Sequence, residues 1–197
     1  MATAETMKTP HRYNSVAIIL HWAMALGFFL MIGSGIAMTY LPIDPSVKFN
    51  LYQWHKSGGI LLLLAFGLRI LWRLISEFMN KIPPLPQSFS KLEKIAAKAG
   101  HWGLYAFMIA MPLSGWVMVS SSVYGLPTIV FGWFEWPHIP NIQANEGIEN
   151  VAKTAHFIFA LLFIGMILVH IAAVIKHAVK DNENLMPRIW WLKSKKG

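Results

Sequence analysis

Two histidines, His156 and His170, lie fourteen residues apart in an otherwise apolar run from Val151 to His177. At about 1.5 Å and 100° per residue, a helix sets their rings roughly 21 Å apart along its axis and within about 40° of one face. Imidazole inside hydrocarbon is costly, and where it occurs it points to a ligand, a proton path or a functional contact. The competing reading is a ring at an interface, bonded to a carbonyl or a lipid headgroup. That reading weakens as matched histidines accumulate, and His21, His55 and His101 all fall in or beside other apolar runs.

These runs must be the elements that position the rings. Hydrophobic residues make up 55% of the 197, charged residues only 13%, and the mean hydropathy is +0.47. A soluble core of this size cannot hide such runs. Four spans are expected, at about residues 16–41, 54–75, 99–122 and 151–178, each long enough for a hydrocarbon core of about 30 Å. The expectation is an all-α membrane protein, a four-transmembrane-helix bundle forming a single domain over residues 1–197. No internal repeat or low-complexity tract interrupts it.

Charge placement gives the orientation. The tail before the first span, residues 69–98, and the end from Lys176 hold 14 of the 17 basic residues. The other connections carry only Lys48, Lys56 and Lys153, against Asp44, Glu135, Glu146 and Glu149. The positive-inside rule then places both termini and the middle loop in the cytoplasm. The net charge of +8 is thereby explained by topology and anionic lipid, with no nucleic-acid partner required. No small-residue cleavage signal follows the first apolar run, so residues 1–12 are expected to be a cytoplasmic tail before a retained helix. Arg69 and Arg73, near the inner end of the second span, are expected to snorkel to headgroups, with pairing to an acidic group of a cofactor as the alternative. Pro112 is expected to kink the third span. The aromatic and proline-rich stretch 124–150 is expected to cap the outer headgroup region, with His138 structural or merely exposed.

With that topology the histidines fall on two levels. His55 and His156 share the outer level, and His170 shares the inner level with either His21 or His101. Two rings on facing helices suit the two axial positions of an iron porphyrin, and bundles build cofactor sites from side chains on facing helices. Zinc or copper sites need three or four ligands about one ion, whereas these residues come in pairs. The eleven methionines are scattered over several faces and are expected to be filler or lipid-facing instead of copper ligands. A secondary transporter is disfavoured because the central parts of the spans contain no Asp or Glu. With no cysteine in the chain, disulfides, iron–sulfur clusters and thioether-linked haem are excluded.

The stretch from Tyr13 through His21 and Trp22, the run Trp54-His55-Lys56-Ser57-Gly58-Gly59, the run Gly100-His101-Trp102-Gly103-Leu104-Tyr105, and the His156 to His170 spacing together resemble the bacterial cytochrome b561 family, from Tyr13 to about Pro187. That resemblance implies a four-helix, di-haem protein of the bacterial inner membrane. It implies His21 and His170 as axial ligands of an inner haem b, His55 and His156 as those of an outer haem b, and His101 and His177 beside a quinone. It leaves two functions open. One is an oxidoreductase similar to superoxide oxidase, taking electrons from superoxide outside and reducing ubiquinone inside. The other is a relay subunit between the quinone pool and a partner redox enzyme. Lys56 directly follows His55, and Lys153 stands one turn before His156. Both charges are expected to steer a small anion toward the outer level, the alternative being that they mark the membrane boundary. Ascorbate remains a further candidate donor.

Overall fold

A computed structural model of the protein describes residues 12–79 and 81–191. The basic tail up to residue 11 and the lysines from residue 193 onward lie outside the described residues.

Four helices dominate: α1 (Ser15–Tyr40), α2 (Pro45–Phe78), α3 (Lys91–Ser121) and α4 (Glu146–Val179). All four are long and apolar enough to cross a membrane. Three start well before the apolar runs that mark them in the sequence, because polar caps satisfy their first turns outside the hydrocarbon. Asp44 accepts from the Ser46 amide with Pro45 at the first helical position. Ser90 and Glu93 form a reciprocal capping box, and Asn145 accepts from the Ile148 amide ahead of Glu146 and Glu149. Such caps contribute about 1 kcal/mol each, and the acids also suit the positive end of the helix dipole. Hydropathy alone registers only the part of each helix that meets lipid. α3 runs unbroken through Pro112.

α1 packs along α2, α3 along α4, and α2 closes against α3. Between the two histidine levels, Met24, Phe28, Leu62, Phe66, Leu104 and Phe163 form a buried cluster drawn from all four helices. The Phe28 and Phe163 rings meet edge to face at 5.0 Å, a favoured aromatic geometry. A Cβ on Gly27 would stand 2.7 Å from Leu62 Cδ2, so glycine is what allows α1 and α2 this close an approach. Leu30 and Val169 are 64% and 66% exposed, as lipid-facing residues must be where the surrounding solvent is hydrocarbon.

Among the described residues, the departure from an all-helical chain is a hairpin in the expected outer cap, β1 (Thr128–Val130) paired antiparallel with β2 (Phe134–Trp136). Its turn places Phe131 and Gly132 at positive φ, 48° and 79°. Ser57, in α2, fastens the hairpin, its hydroxyl accepting from the Phe131 amide at 3.2 Å and lying 3.1 Å from the Ile129 carbonyl. Trp116 of α3 donates to the Pro137 carbonyl at 2.8 Å. At the other end, the Asn14 side chain accepts from Trp72 Nε1 at 2.8 Å, and Trp22 Nε1 donates to the Ile189 carbonyl at 2.8 Å. These ties hold the start of α1 against α2 and the chain that follows α4.

Candidate functional site

Bundle packing gathers the histidines into two groups. At the level that the charge distribution assigns to the outer side, the His55 and His156 ring centroids lie 6.4 Å apart. At the other level His170 has two neighbours, His21 at 6.5 Å and His101 at 5.9 Å. His21, His55, His156 and His170 are half-buried, whereas His101 is exposed.

These separations test whether the rings fit one metal between them. A metal–nitrogen bond of about 2.0 Å plus roughly 1.1 Å from nitrogen to ring centre, taken twice, gives about 6.2 Å between two imidazoles on one metal. The His55–His156 pair matches that length, and at the other level His170 meets it about equally well with His21 or with His101. A naked ion fits less well, since it needs three or four ligand atoms close together. Among the described residues, the only set of three such atoms within 4.8 Å of one another is Glu93, His177 and Asp181, apart from either pair.

The surroundings of the two levels differ. Ser34 Oγ of α1 lies 2.9 Å from His55 Nδ1, and Ser114 Oγ of α3 lies 2.9 Å from His156 Nδ1. A Cβ on Gly35 would stand 3.6 Å from His55 Cε1, and one on Gly115 would stand 3.4 Å from His156 Cε1. At the inner level, Arg69 Nη2 lies 3.3 Å from His21 Nδ1. The Arg69 Nε is buried with no hydrogen-bond partner. Arg69 therefore turns into the bundle instead of snorkelling, because it shares the inward face of α2 one turn short of the polar end. Its unmatched proton suits an acidic group such as a porphyrin carboxylate, since guanidinium pairs strongly with carboxylates.

His177 is buried, so the headgroup contact that its position near the helix end suggests does not occur. Its ring stacks on Phe89 at 4.2 Å, and Nδ1 lies 2.7 Å from Asp181 Oδ2. Lys176 bridges Asp181 at 2.9 Å and Glu93 at 2.5 Å. The hydrogen bond from Lys176 holds the Asp181 carboxyl below its ordinary range, helped by the contact with His177. Lys56 Nζ donates to the Pro127 carbonyl at 2.9 Å, so it also anchors the hairpin. Lys153 is exposed on the first turns of α4. His138 is half-buried, its Nε2 without a partner, away from either group.

Ser34, Ser114 and Asp181 were not singled out from the sequence. A signal existed for the first two, because Ser34-Gly35 and Ser114-Gly115 repeat one dipeptide in two apolar helices.

The prokaryotic cytochrome b561 family model matches residues 12–191. This chain belongs to that family. It is thus a multi-pass protein of the bacterial inner membrane, working in electron transfer with b-type haem. It is 32% identical over 182 residues to cytochrome b561 homolog 2 of Escherichia coli strain K12, covering 92% of each chain. It is also 29% identical over 185 residues to a probable superoxide oxidase of Yersinia pestis, covering 90% of this chain and 97% of that one. Membership in this family removes the transporter alternative and agrees with the fit of the paired imidazoles.

Proposed function

We propose that this cytochrome b561 takes electrons from superoxide at the outer side of the membrane and delivers them to ubiquinone at the inner side, through two haem b groups. The observation that supports two haem groups is the pairing of imidazoles at two levels of one bundle, His55 with His156 at 6.4 Å and His170 with His21 at 6.5 Å or His101 at 5.9 Å, the choice of His21 coming from the family resemblance. His55 and His156 would hold the outer haem, and His21 and His170 the inner one. When bound, haem supplies reversible one-electron transfer, and two imidazole ligands leave no open iron position for oxygen. The overall conversion balances: two superoxide ions lose one electron each to give two dioxygen molecules, and ubiquinone gains two electrons and two protons to give ubiquinol.

The chain's residues divide the remaining work. Lys56 and Lys153 place positive charge beside the two outer imidazoles, in a region whose other charges are mostly acidic, and raise the local concentration of a small anion. Half-buried rings and the apolar cluster between the levels exclude water from the interior. His101 stands beside His170 and His177 lies two turns further along α4, on the side where a quinone carbonyl would need a hydrogen-bond donor and a proton. Imidazole suits that task because its ordinary pKa lies near neutrality. Asp181 holds Nδ1 of His177 and leaves Nε2 as the free nitrogen.

The test begins with the purified full chain reduced by dithionite. Two haems per chain with b-type absorption bands are expected, and absence of those bands overturns the reading. Superoxide supplied with a soluble ubiquinone analogue should then drive quinone reduction. Haem without superoxide-dependent reduction replaces this function with a relay between the quinone pool and a partner redox enzyme.

A further inference from the structure

The outer level contains a matched device built from two helices that carry none of its histidines. Ser34-Gly35 of α1 meets His55 of α2, and Ser114-Gly115 of α3 meets His156 of α4. In each, a serine oxygen lies 2.9 Å from Nδ1, and the following glycine packs beside Cε1, where a Cβ would be in ordinary contact at 3.6 Å or 3.4 Å.

Each serine hydroxyl also has a carbonyl of its own helix to donate to. Ser34 Oγ donates to the Met31 carbonyl at 3.0 Å, and Ser114 Oγ donates to the Met111 carbonyl at 2.8 Å. A hydroxyl has one proton to give. With that proton on the carbonyl, each serine oxygen accepts from its histidine, which puts the ring proton on Nδ1 and leaves the Nε2 lone pair to a metal. In this arrangement the i−3 carbonyl fixes the hydroxyl and the hydroxyl fixes the tautomer.

We infer that Ser34 and Ser114 are positioning residues that set the tautomer, orientation and basicity of His55 and His156 as outer-haem ligands. The inference rests on the di-haem reading of the proposed function and deepens it. A partner that accepts from the distal N–H of a ligating imidazole raises the basicity of the ligand. A more basic ligand stabilises ferric iron, so these two hydrogen bonds hold the outer-haem potential down and favour passing the electron onward to the inner level. Neither His170 nor His101 makes such a bond to a hydroxyl among the described residues.

The test uses the purified full chain with haem bound, carrying Ser34→Ala, Ser114→Ala, Ser34→Thr or Ser114→Thr. The readouts are haem content, a potentiometric titration of both haems, and the electron paramagnetic resonance spectrum of the oxidised protein. Each alanine variant is expected to shift one midpoint positive and alter one ferric signal, leaving the other haem unchanged. Each threonine variant keeps the hydroxyl and is expected to restore the original midpoint and signal. Alanine variants with two haems and unchanged midpoints overturn the inference, as does an equal shift of both haems. If an alanine variant loses the outer haem, the threonine variant decides: retention with the original midpoint supports the inference, and loss overturns it. A wild-type chain without haem fails the di-haem reading itself, a result distinct from all of these.

Discussion

The two histidine levels have nearly equal ring separations but opposite supporting chemistry. At the outer level each ring contacts a neutral hydroxyl, and the hairpin is fastened to α2 at Ser57. At the inner level His21 faces Arg69. A guanidinium only donates, so it can engage His21 Nδ1 only as an acceptor, with the ring proton on Nε2. Ligation through that Nε2 requires Arg69 to turn to another acceptor, and its buried Nε already lacks one. On the proposed di-haem reading, the outer pair would be preorganised by protein groups, whereas His21 would bind through Nε2 only once an anionic group engaged Arg69. The outer end is built to hold one geometry. The inner end keeps an extra imidazole, His101, 5.9 Å from His170.

The most severe way to break this comparison is to remove a ligand. His156→Ala and His170→Ala should each lower haem content from about two per chain to about one, measured by pyridine haemochrome assay. Loss of both haems from either variant would show that the levels are not independent. A smaller effect is expected from the charge that distinguishes them. Arg69→Leu should lower the inner-haem midpoint by roughly 100 mV, corresponding to about 2 kcal/mol for one charge at an effective dielectric near 20. The outer midpoint should stay in place, and equal movement of both would remove the asymmetry.

The outer surface gives a kinetic test. Lys56→Gln and Lys153→Gln should each slow superoxide-dependent quinone reduction several-fold at low salt and flatten its ionic-strength dependence. Unchanged rates with unchanged salt dependence would leave these lysines as hairpin anchor and boundary marker. The smallest effect belongs to the inner polar cluster. The folded-state pKa of Asp181 is depressed, so its contribution is present above the ordinary carboxylate value of 3.8 and is lost as pH falls through the lower folded value. Asp181→Asn should accordingly lower the thermal midpoint slightly at pH 7, and the difference from wild type should vanish in acid below that range. A difference that persists in acid would assign the effect to packing.

The similarity of the two ends to each other was visible early, and their differences were not. The fourteen-residue spacing of His156 and His170 follows from helix rise and rotation, which are local properties that any long apolar helix obeys. The four spans were legible for the same reason, since a run of apolar residues must face either core or lipid. Helix starts were less legible, because Asp44, Ser90 and Asn145 act through main-chain bonds outside the apolar runs. The inward turn of Arg69 and the burial of His177 were missed because each depends on what a neighbouring element offers. His177 needs Phe89 from the connector, and Arg69 needs His21 from α1.

The sequence by itself determined a four-helix membrane protein, two levels of imidazole along its last helix, and the partners that could share them, because hydropathy and helical period act within a single segment. Tertiary structure decided that His21 and His101 both approach His170, that serines from two other helices hold the outer rings, and that Lys56 ties down the hairpin. Those outcomes depend on the rotation and axial offset of one helix against another, which are set by side-chain interdigitation and close glycine contacts across the bundle and by no pattern within one run.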